Sequence, residues 1–302
     1  MKPLVGISLT LGAIFLFSIM GALVKAAEGV PVGQTVFFRA GCGLPVIVAW
    51  LWLRGDMPEG LKVQSVRSHA IRAIVGSGAM GLGFLGLRYL PLPEVTALRF
   101  ITPILIVIFA AILLRERVRL LRITAVAVGL VGVLIIMWPR LSLDGGEREF
   151  IGTVMILSSA LLASLAQIFV KAMASKESTA AIVFYFSATA TTLSLLTIPW
   201  GWVWPTPLEW ALLIGAGLTG GAGQILVTSS YRFADASLLA PYTYSSMIWA
   251  LVIGFFVFNE VPTLQMLAGA ALVICAGAFI VWREQQLGKD RAARGKINAT
   301  MK

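Results

Sequence analysis

The sequence predicts an all-α membrane protein of ten transmembrane helices arranged as two inverted five-helix repeats. Three observations predict it: a strongly apolar composition, apolar runs of about 20 residues from end to end, and distinctive residues that recur at a nearly fixed offset. The 302 residues are 58% hydrophobic and 13% charged, against roughly 45–50% apolar and about 25% charged in an ordinary soluble domain. No soluble core of this size hides so many runs of that length, so the bilayer is the solvent.

The first run, 4–25, follows Lys2 and lacks a small-residue cleavage site, which reads as a retained span rather than a signal peptide. Runs at 33–53 and 70–90 come next, and Pro91 and Pro93 mark the turn into 94–114. A fifth run, 119–138, closes the first half. The second half holds 151–173, 179–200, 208–230, 236–258 and 263–282. These define a first repeat over 1–140, a second over 150–284 and a basic tail over 285–302.

With ten spans both termini share a side, and the basic residues sort accordingly. One side receives Lys2, then Arg54, Lys62, Arg67 and Arg72, then Arg115, Arg117, Arg119 and Arg122, then Lys171, Lys176, Arg232 and a tail rich in Lys and Arg. The other side has only Lys25, Arg88, Arg140 and Arg148. By the positive-inside rule the termini are cytoplasmic. This distribution assigns the net charge of +10 to topology and to contact with the lipid bilayer, not to nucleic acid. Cys42 and Cys275 lie in apolar runs without CxxC spacing, so neither metal nor redox chemistry is implied.

The halves match in order. Gly6 and Gly152, Ser18 and Ser164, and Val24-Lys25-Ala26 and Val170-Lys171-Ala172 share an offset of 146, whereas Arg88 and Arg232, Glu116 and Glu260, and Trp138 and Trp282 share one of 144. Spans three and eight are both glycine-rich. Five spans per half is odd, so the second half enters from the opposite side; such inverted repeats place a site near the midplane and expose it alternately.

These features, with the Ser18 to Lys25 segment, Phe38-Arg39, the run from Pro91 to Leu98 leading to Pro103, and Glu116, resemble the EamA type of the drug/metabolite transporter superfamily over residues 4 to 284. The resemblance implies an inner-membrane carrier for small organic metabolites. Known members include amino-acid exporters and importers of S-adenosylmethionine or riboflavin. Export is favoured by the resemblance.

A charge present in both halves belongs to the scaffold, and a charge in one half breaks the symmetry. The paired Lys25 and Lys171, Arg88 and Arg232, and Glu116 and Glu260 fall at span ends, where interfacial anchoring accounts for them. Arg39 and Arg99 have no charged twin; their offset partners fall near Tyr185 and at Thr243. Both lie about 7 to 8 Å below the external boundary at ~1.5 Å per residue. An intramembrane arginine costs at least ~2.5 to 3.5 kcal/mol on insertion scales, and its planar fork suits a carboxylate or phosphate. The alternatives are that Arg39 packs against backbone carbonyls and that Arg99 snorkels outward or pairs with Glu94.

Pro103 deprives the carbonyl of residue 99 of its helical donor, and Pro241 does the same at Ser237. Tyr242, Tyr244 and Trp249 follow Pro241 as candidates to bond and stack a ligand, with lipid-facing aromatics as the competing reading. Gln167 and Gln224 are candidate contacts, or interhelical glue worth ~0.6 kcal/mol. No carboxylate lies near the middle of any span, so a buried acidic proton relay is not visible, although protons stay open as the coupling ion through Glu94 or an anchoring charge. His69, the sole histidine, is assigned to a connection, which leaves no Ser/His or Cys/His pair at depth for an intramembrane enzyme. No ring of charges or carbonyl filter suggests a channel. The expectation is a cofactor-free secondary carrier for a carboxylate-bearing metabolite such as an amino acid or related zwitterion, with Arg99 as leading anchor and Arg39 second.

Overall fold

The computed structural model describes residues 3–99, 101–116 and 147–259, with isolated positions between 123 and 131 and between 261 and 275. Expected spans 119–138 and 263–282 fall almost wholly outside these residues, as does the tail. All the described elements are helical, which is how a chain in lipid satisfies every backbone N–H and C=O from within.

Helices α1 (Pro3–Ala26), α2 (Val32–Gly41), α3 (Gly43–Leu53), α4 (Val66–Gly86), α5 (Leu92–Arg99) and α6 (Ile101–Leu113) come from the first half. Helices α7 (Glu147–Met173), α8 (Thr179–Leu195), α9 (Pro207–Phe233), α10 (Ala236–Leu239) and α11 (Ser246–Phe258) come from the second. Six segments are long and apolar enough to cross a bilayer: Pro3–Ala26, Val32–Leu53, Glu94–Leu113, Arg148–Met173, Pro207–Phe233 and Ala236–Phe258. Large apolar side chains such as Ile74, Ile112, Phe150 and Phe256 face outward from the bundle, as a lipid solvent requires.

Local chemistry sets the helix ends. Ser65 and Ser178 accept the backbone N–H groups of Ser68 and Ala181 as caps of α4 and α8. Thr206 and Glu209 form a reciprocal capping box at the start of α9, where Pro207 takes the first turn. Span two breaks at Cys42 because Pro45 brings no N–H to the carbonyl of Gly41. Span nine breaks as expected near Pro241: after α10 the chain tightens into a 3-10 segment over Ala240–Ser245. The kink expected at residue 99, four residues before Pro103, borders residue 100, which lies outside the described residues.

Helix packing is reciprocal between the halves. α1 packs along α9, and α4 packs along α7. Both pairs are antiparallel: Gly6 and Gly12 of α1 abut Ala234 and Leu226, while Gly78 and Gly86 of α4 abut Leu162 and Ile156. α2 packs on α8, and α5 on α11. The first span of each half thus rests on the third span of the other.

At the end of the bundle that holds Lys171, polar side chains grip helix termini. Lys171 Nζ donates to the carbonyls of Tyr231 (3.0 Å) and Ala234 (2.7 Å) at the end of α9. The Glu116 carboxylate accepts the N–H groups of Ala236 (3.3 Å) and Ser237 (3.2 Å) at the start of α10, and Arg232 Nη1 donates to the Glu177 carbonyl and to Thr179 Oγ1, each at 3.3 Å. The expectation of interfacial anchoring is therefore corrected for Lys171, Arg232 and Glu116, which tie elements together. At the opposite end Arg88 Nη1 donates to the Glu28 carbonyl at 3.2 Å, while Lys25 Nζ lies 4.5 Å from the Phe258 ring centre.

A second correction concerns the start of span three. Arg67, His69 and Arg72, assigned to the connection, all belong to α4, and His69 and Arg72 are buried. His69 Nε2 lies 3.5 Å from the buried Glu177 carboxylate, which also accepts the N–H groups of Gln64 (3.0 Å) and Ser65 (2.9 Å). Burial pushes the Glu177 carboxyl up, but these hydrogen bonds and His69 outweigh it and hold it below its ordinary value. A depressed carboxylate contributes stability above its unfolded value and loses it as pH falls through the folded one. Glu177→Gln is accordingly expected to flatten the acid limb of a thermal-stability profile below about pH 4.5 and to lower stability at neutral pH.

Candidate functional site

A cavity of about 290 Å³ lies between the halves, bounded by α1, α2, α4, Arg99 at the end of α5, Thr102 of α6, α7, α8, α9 and the 3-10 segment with the start of α11. Three arginines reach it. Arg39 comes from the last turn of α2, just before the Cys42 break, Arg99 from the end of α5, and Arg72 from α4.

Arg39 and Arg72 are 4% and 5% exposed, respectively. The Phe186 ring of α8 lies between them, 3.9 Å from Arg72 Cζ and 5.6 Å from Arg39 Cζ. An aromatic face attracts a guanidinium most when water is excluded, so Phe186 helps hold both side chains, Arg72 most closely. Arg39 Nη2 also donates to Gln224 Oε1 at 3.5 Å, and Gln224 Nε2 donates to Thr228 Oγ1 at 3.3 Å. Gln224 is thereby a positioning residue for Arg39. Gln167 accepts the Tyr231 hydroxyl through Oε1 and lines the same cavity.

The glycines of spans three and eight make room for these charges. A Cβ at Gly76 would collide with Arg72 Nη1 and one at Gly83 with Arg99 Nη2, while one at Gly220 would lie 3.1 Å from Arg39 Nε. Close helix packing is also present: a Cβ at Gly221 would lie 2.8 Å from Gly43 Cα. A Cβ at Gly83 meets the tip of the flexible Arg99 side chain and also lies 2.9 Å from the Ser159 hydroxyl, which donates to the Ala79 carbonyl at 2.6 Å, so Gly83→Ala is expected to displace the Arg99 guanidinium with a small loss of stability from the disturbed Ser159. Its half-saturating substrate concentration should rise about tenfold, the equivalent of ~1.4 kcal/mol.

Of the expected site residues, Arg39, Arg99, Gln167 and Gln224 meet in this cavity. Tyr242, Tyr244 and Trp249 do not line it. Tyr242 packs in the core with Ile7, Ile106 and Tyr231, Tyr244 is 1% exposed, and Trp249 stacks on Phe15 of α1 with centroids 4.6 Å apart. Thr243 and Ser246, between them in sequence, line the cavity instead and join Thr102 and Ser159 in supplying its hydroxyls. Sequence reasoning missed Arg72, yet a signal was there: at the offset of 144 its partner is Ala216, so it breaks the symmetry as Arg99 does. No ion pair joins Arg99 to Glu94 among the described residues, and a second pocket of about 240 Å³ shares Arg99 and runs past Val95 to Leu87 and Leu92 at the Arg88 end.

Comparison with known proteins places this geometry. The chain matches the EamA-like transporter family twice, over residues 4–138 and 150–282. It is 29% identical over 276 residues to a pseudopaline exporter of Pseudomonas aeruginosa, covering 90% of this chain and 94% of that one. It is 26% identical to a riboflavin transporter of Vibrio cholerae, covering 96% and 97% of the two chains, and 25% identical to an S-adenosylmethionine uptake transporter of Rickettsia prowazekii, covering 84% of each. A crystal structure at 22% identity superposes with a TM-score of 0.78 over 93% of this chain and 98% of its own. The relatives are transporters and not enzymes, and with its six long apolar helices and two family matches this chain belongs to the EamA-like transporter family, as a multi-pass membrane protein.

Proposed function

We propose that the chain is a secondary transporter of the inner membrane that moves a small, carboxylate-bearing metabolite, an amino acid or related compound, through the arginine-lined cavity by alternating access. The observation that carries this reading is the cavity itself, where Arg39, Arg72 and Arg99 converge between two reciprocally packed halves. Ten spans in two inverted repeats, 1–140 and 150–284, followed by a basic tail over 285–302, complete the architecture, with both termini cytoplasmic. The antiparallel pairing of α1 with α9 and of α4 with α7 supports the inversion, and the double family match supports the division. In this topology the Lys171 end, where polar side chains tie helix termini together, is cytoplasmic, and the pocket past Leu87 lies toward the exterior. Outward release of the substrate is the direction favoured, as in the pseudopaline exporter.

Impermeant thiol labelling tests alternating access. With Cys42 and Cys275 replaced by serine, Ser246→Cys should label from the external side in spheroplasts and also from the cytoplasmic side in inverted vesicles. Labelling should block flux in both preparations. Reaction from one side alone, in every condition that supports flux, would contradict the reading.

A further inference from the structure

We propose that the substrate carries at least two anionic groups, carboxylates or phosphates, engaged together by Arg72 and Arg99 with Arg39 alongside. This inference rests on the cavity being the substrate site.

The arginines of this cavity differ from several other cations among the described residues. Lys171, Arg232, Arg88 and Arg148 each donate to backbone carbonyls, and Arg54 pairs with Asp56 at 3.2 Å. In the cavity, Arg39 Nε and Nη1, Arg72 Nε and Nη1, and Arg99 Nε are buried without a hydrogen-bond acceptor. Among the described lining residues there is no aspartate or glutamate. Three cations therefore face one space with only neutral amides, hydroxyls and an aromatic ring to balance them. Keeping a charge buried and uncompensated is costly, and a ligand that brings negative charge removes that cost when it binds.

The count of charges separates ligand classes. A zwitterion with one carboxylate fills one guanidinium fork and places its ammonium among the remaining cations with no acid to accept it. A ligand with two or more anionic groups fills two forks and cancels most of the field, and an amino acid bearing additional carboxylates satisfies this as well. Spacing narrows it further. The Arg72 and Arg99 guanidiniums rest against Gly76 and Gly83, seven residues apart on α4 and so about 10 Å apart along its axis. With a hydrogen bond of about 2.9 Å at each end, the anionic groups lie roughly 5 to 10 Å from one another. The apolar wall of Phe17, Met20 and Phe84 accommodates the carbon skeleton that links them.

The test is a thermal-shift assay on the purified full-length protein with pools of a bacterial metabolite extract, separated by anion exchange into uncharged and cationic, singly anionic, and multiply anionic fractions. Glutarate and propane-1,3-diol bisphosphate serve as pure probes that distinguish dicarboxylate from phosphate recognition; leucine and lysine are the comparison compounds. The multiply anionic pool is expected to stabilise the wild type most, and Arg72→Gln and Arg99→Gln should each weaken the response about tenfold in concentration. Arg72→Lys, which retains the charge without the fork, guards against loss of folding and should respond weakly. If the singly anionic or cationic pools, or leucine, stabilise as strongly and ignore Arg72→Gln, the two-anion inference is overturned while the carrier reading stands. If no pool stabilises the protein, the cavity is not a substrate site and both readings fall.

Discussion

Replacing Arg72 with glutamine is expected to raise the substrate concentration for half-maximal flux by about 10- to 100-fold, without lowering the unfolding midpoint of the ligand-free protein. Hydrogen bonds to a charged group contribute about 1.5–3 kcal/mol, and each 1.4 kcal/mol is a factor of ten in affinity. Arg72 is buried, stacked on Phe186, and has Nε and Nη1 free for an anion. A merely structural arginine behaves in the opposite way. Its loss lowers stability, whereas removing a buried charge without a counter-ion relieves a cost. The cation–π contact that is lost offsets part of that relief. Flux titrations in proteoliposomes beside unfolding curves in detergent separate the two. Arg72→Lys should recover little, because a lysine ammonium presents neither the fork nor the flat face that Phe186 holds. Arg99→Gln acts in the same direction.

The largest loss of stability is expected at Gly217. A Cβ there would collide with Cys42 Cβ and lie 2.6 Å from the Phe38 carbonyl oxygen, so α9 has to move away from the α2–α3 break that it packs against. Overpacking of this kind costs about 1–3 kcal/mol. Both obstacles belong to or adjoin backbone, and neither is the flexible end of a side chain. Gly217→Ala should therefore lower the unfolding midpoint by several degrees. Gly81→Ala is the matched control: nothing lies within 4 Å of its Cβ position, and its effect should stay within ~0.5 kcal/mol. The α2–α3 break also positions Arg39, so the Gly217 variant should lose transport together with stability.

Much of this fold was legible in the sequence because lipid imposes simple rules. Apolar runs of membrane length become helices, and the expected 4–25, 208–230 and 236–258 agree with α1, α9 and the α10–α11 segment to within a few residues. Offsets between the halves singled out Arg39 and Arg99, and both line the cavity. Arg72 was obscured because its neighbours Arg67 and His69 made the start of α4 resemble a connection. The Cys42 break has a plain cause in Pro45, but a run of residues that is hydrophobic throughout carries no periodicity to mark where a helix stops. Tyr242 and Tyr244 show the same limit. Proline at 241 announces irregular backbone without saying which way the following side chains turn, and it is Thr243 of the 3-10 segment and Ser246 at the start of α11, not the tyrosines, that reach the cavity. The role of the glycines beneath the guanidiniums depends on tertiary contacts between residues far apart in the chain, such as Gly83 with Arg99 and Gly220 with Arg39.

The most direct measurement is exchange in proteoliposomes loaded with an unlabelled multiply anionic ligand identified by thermal shift, with the same compound radiolabelled outside. The wild type should accumulate label with saturation, Lys62→Gln on the exposed surface should match it, and the triple variant Arg39→Gln, Arg72→Gln, Arg99→Gln should be indistinguishable from protein-free vesicles. Saturable exchange that survives in the triple variant would contradict transport through the arginine-lined cavity.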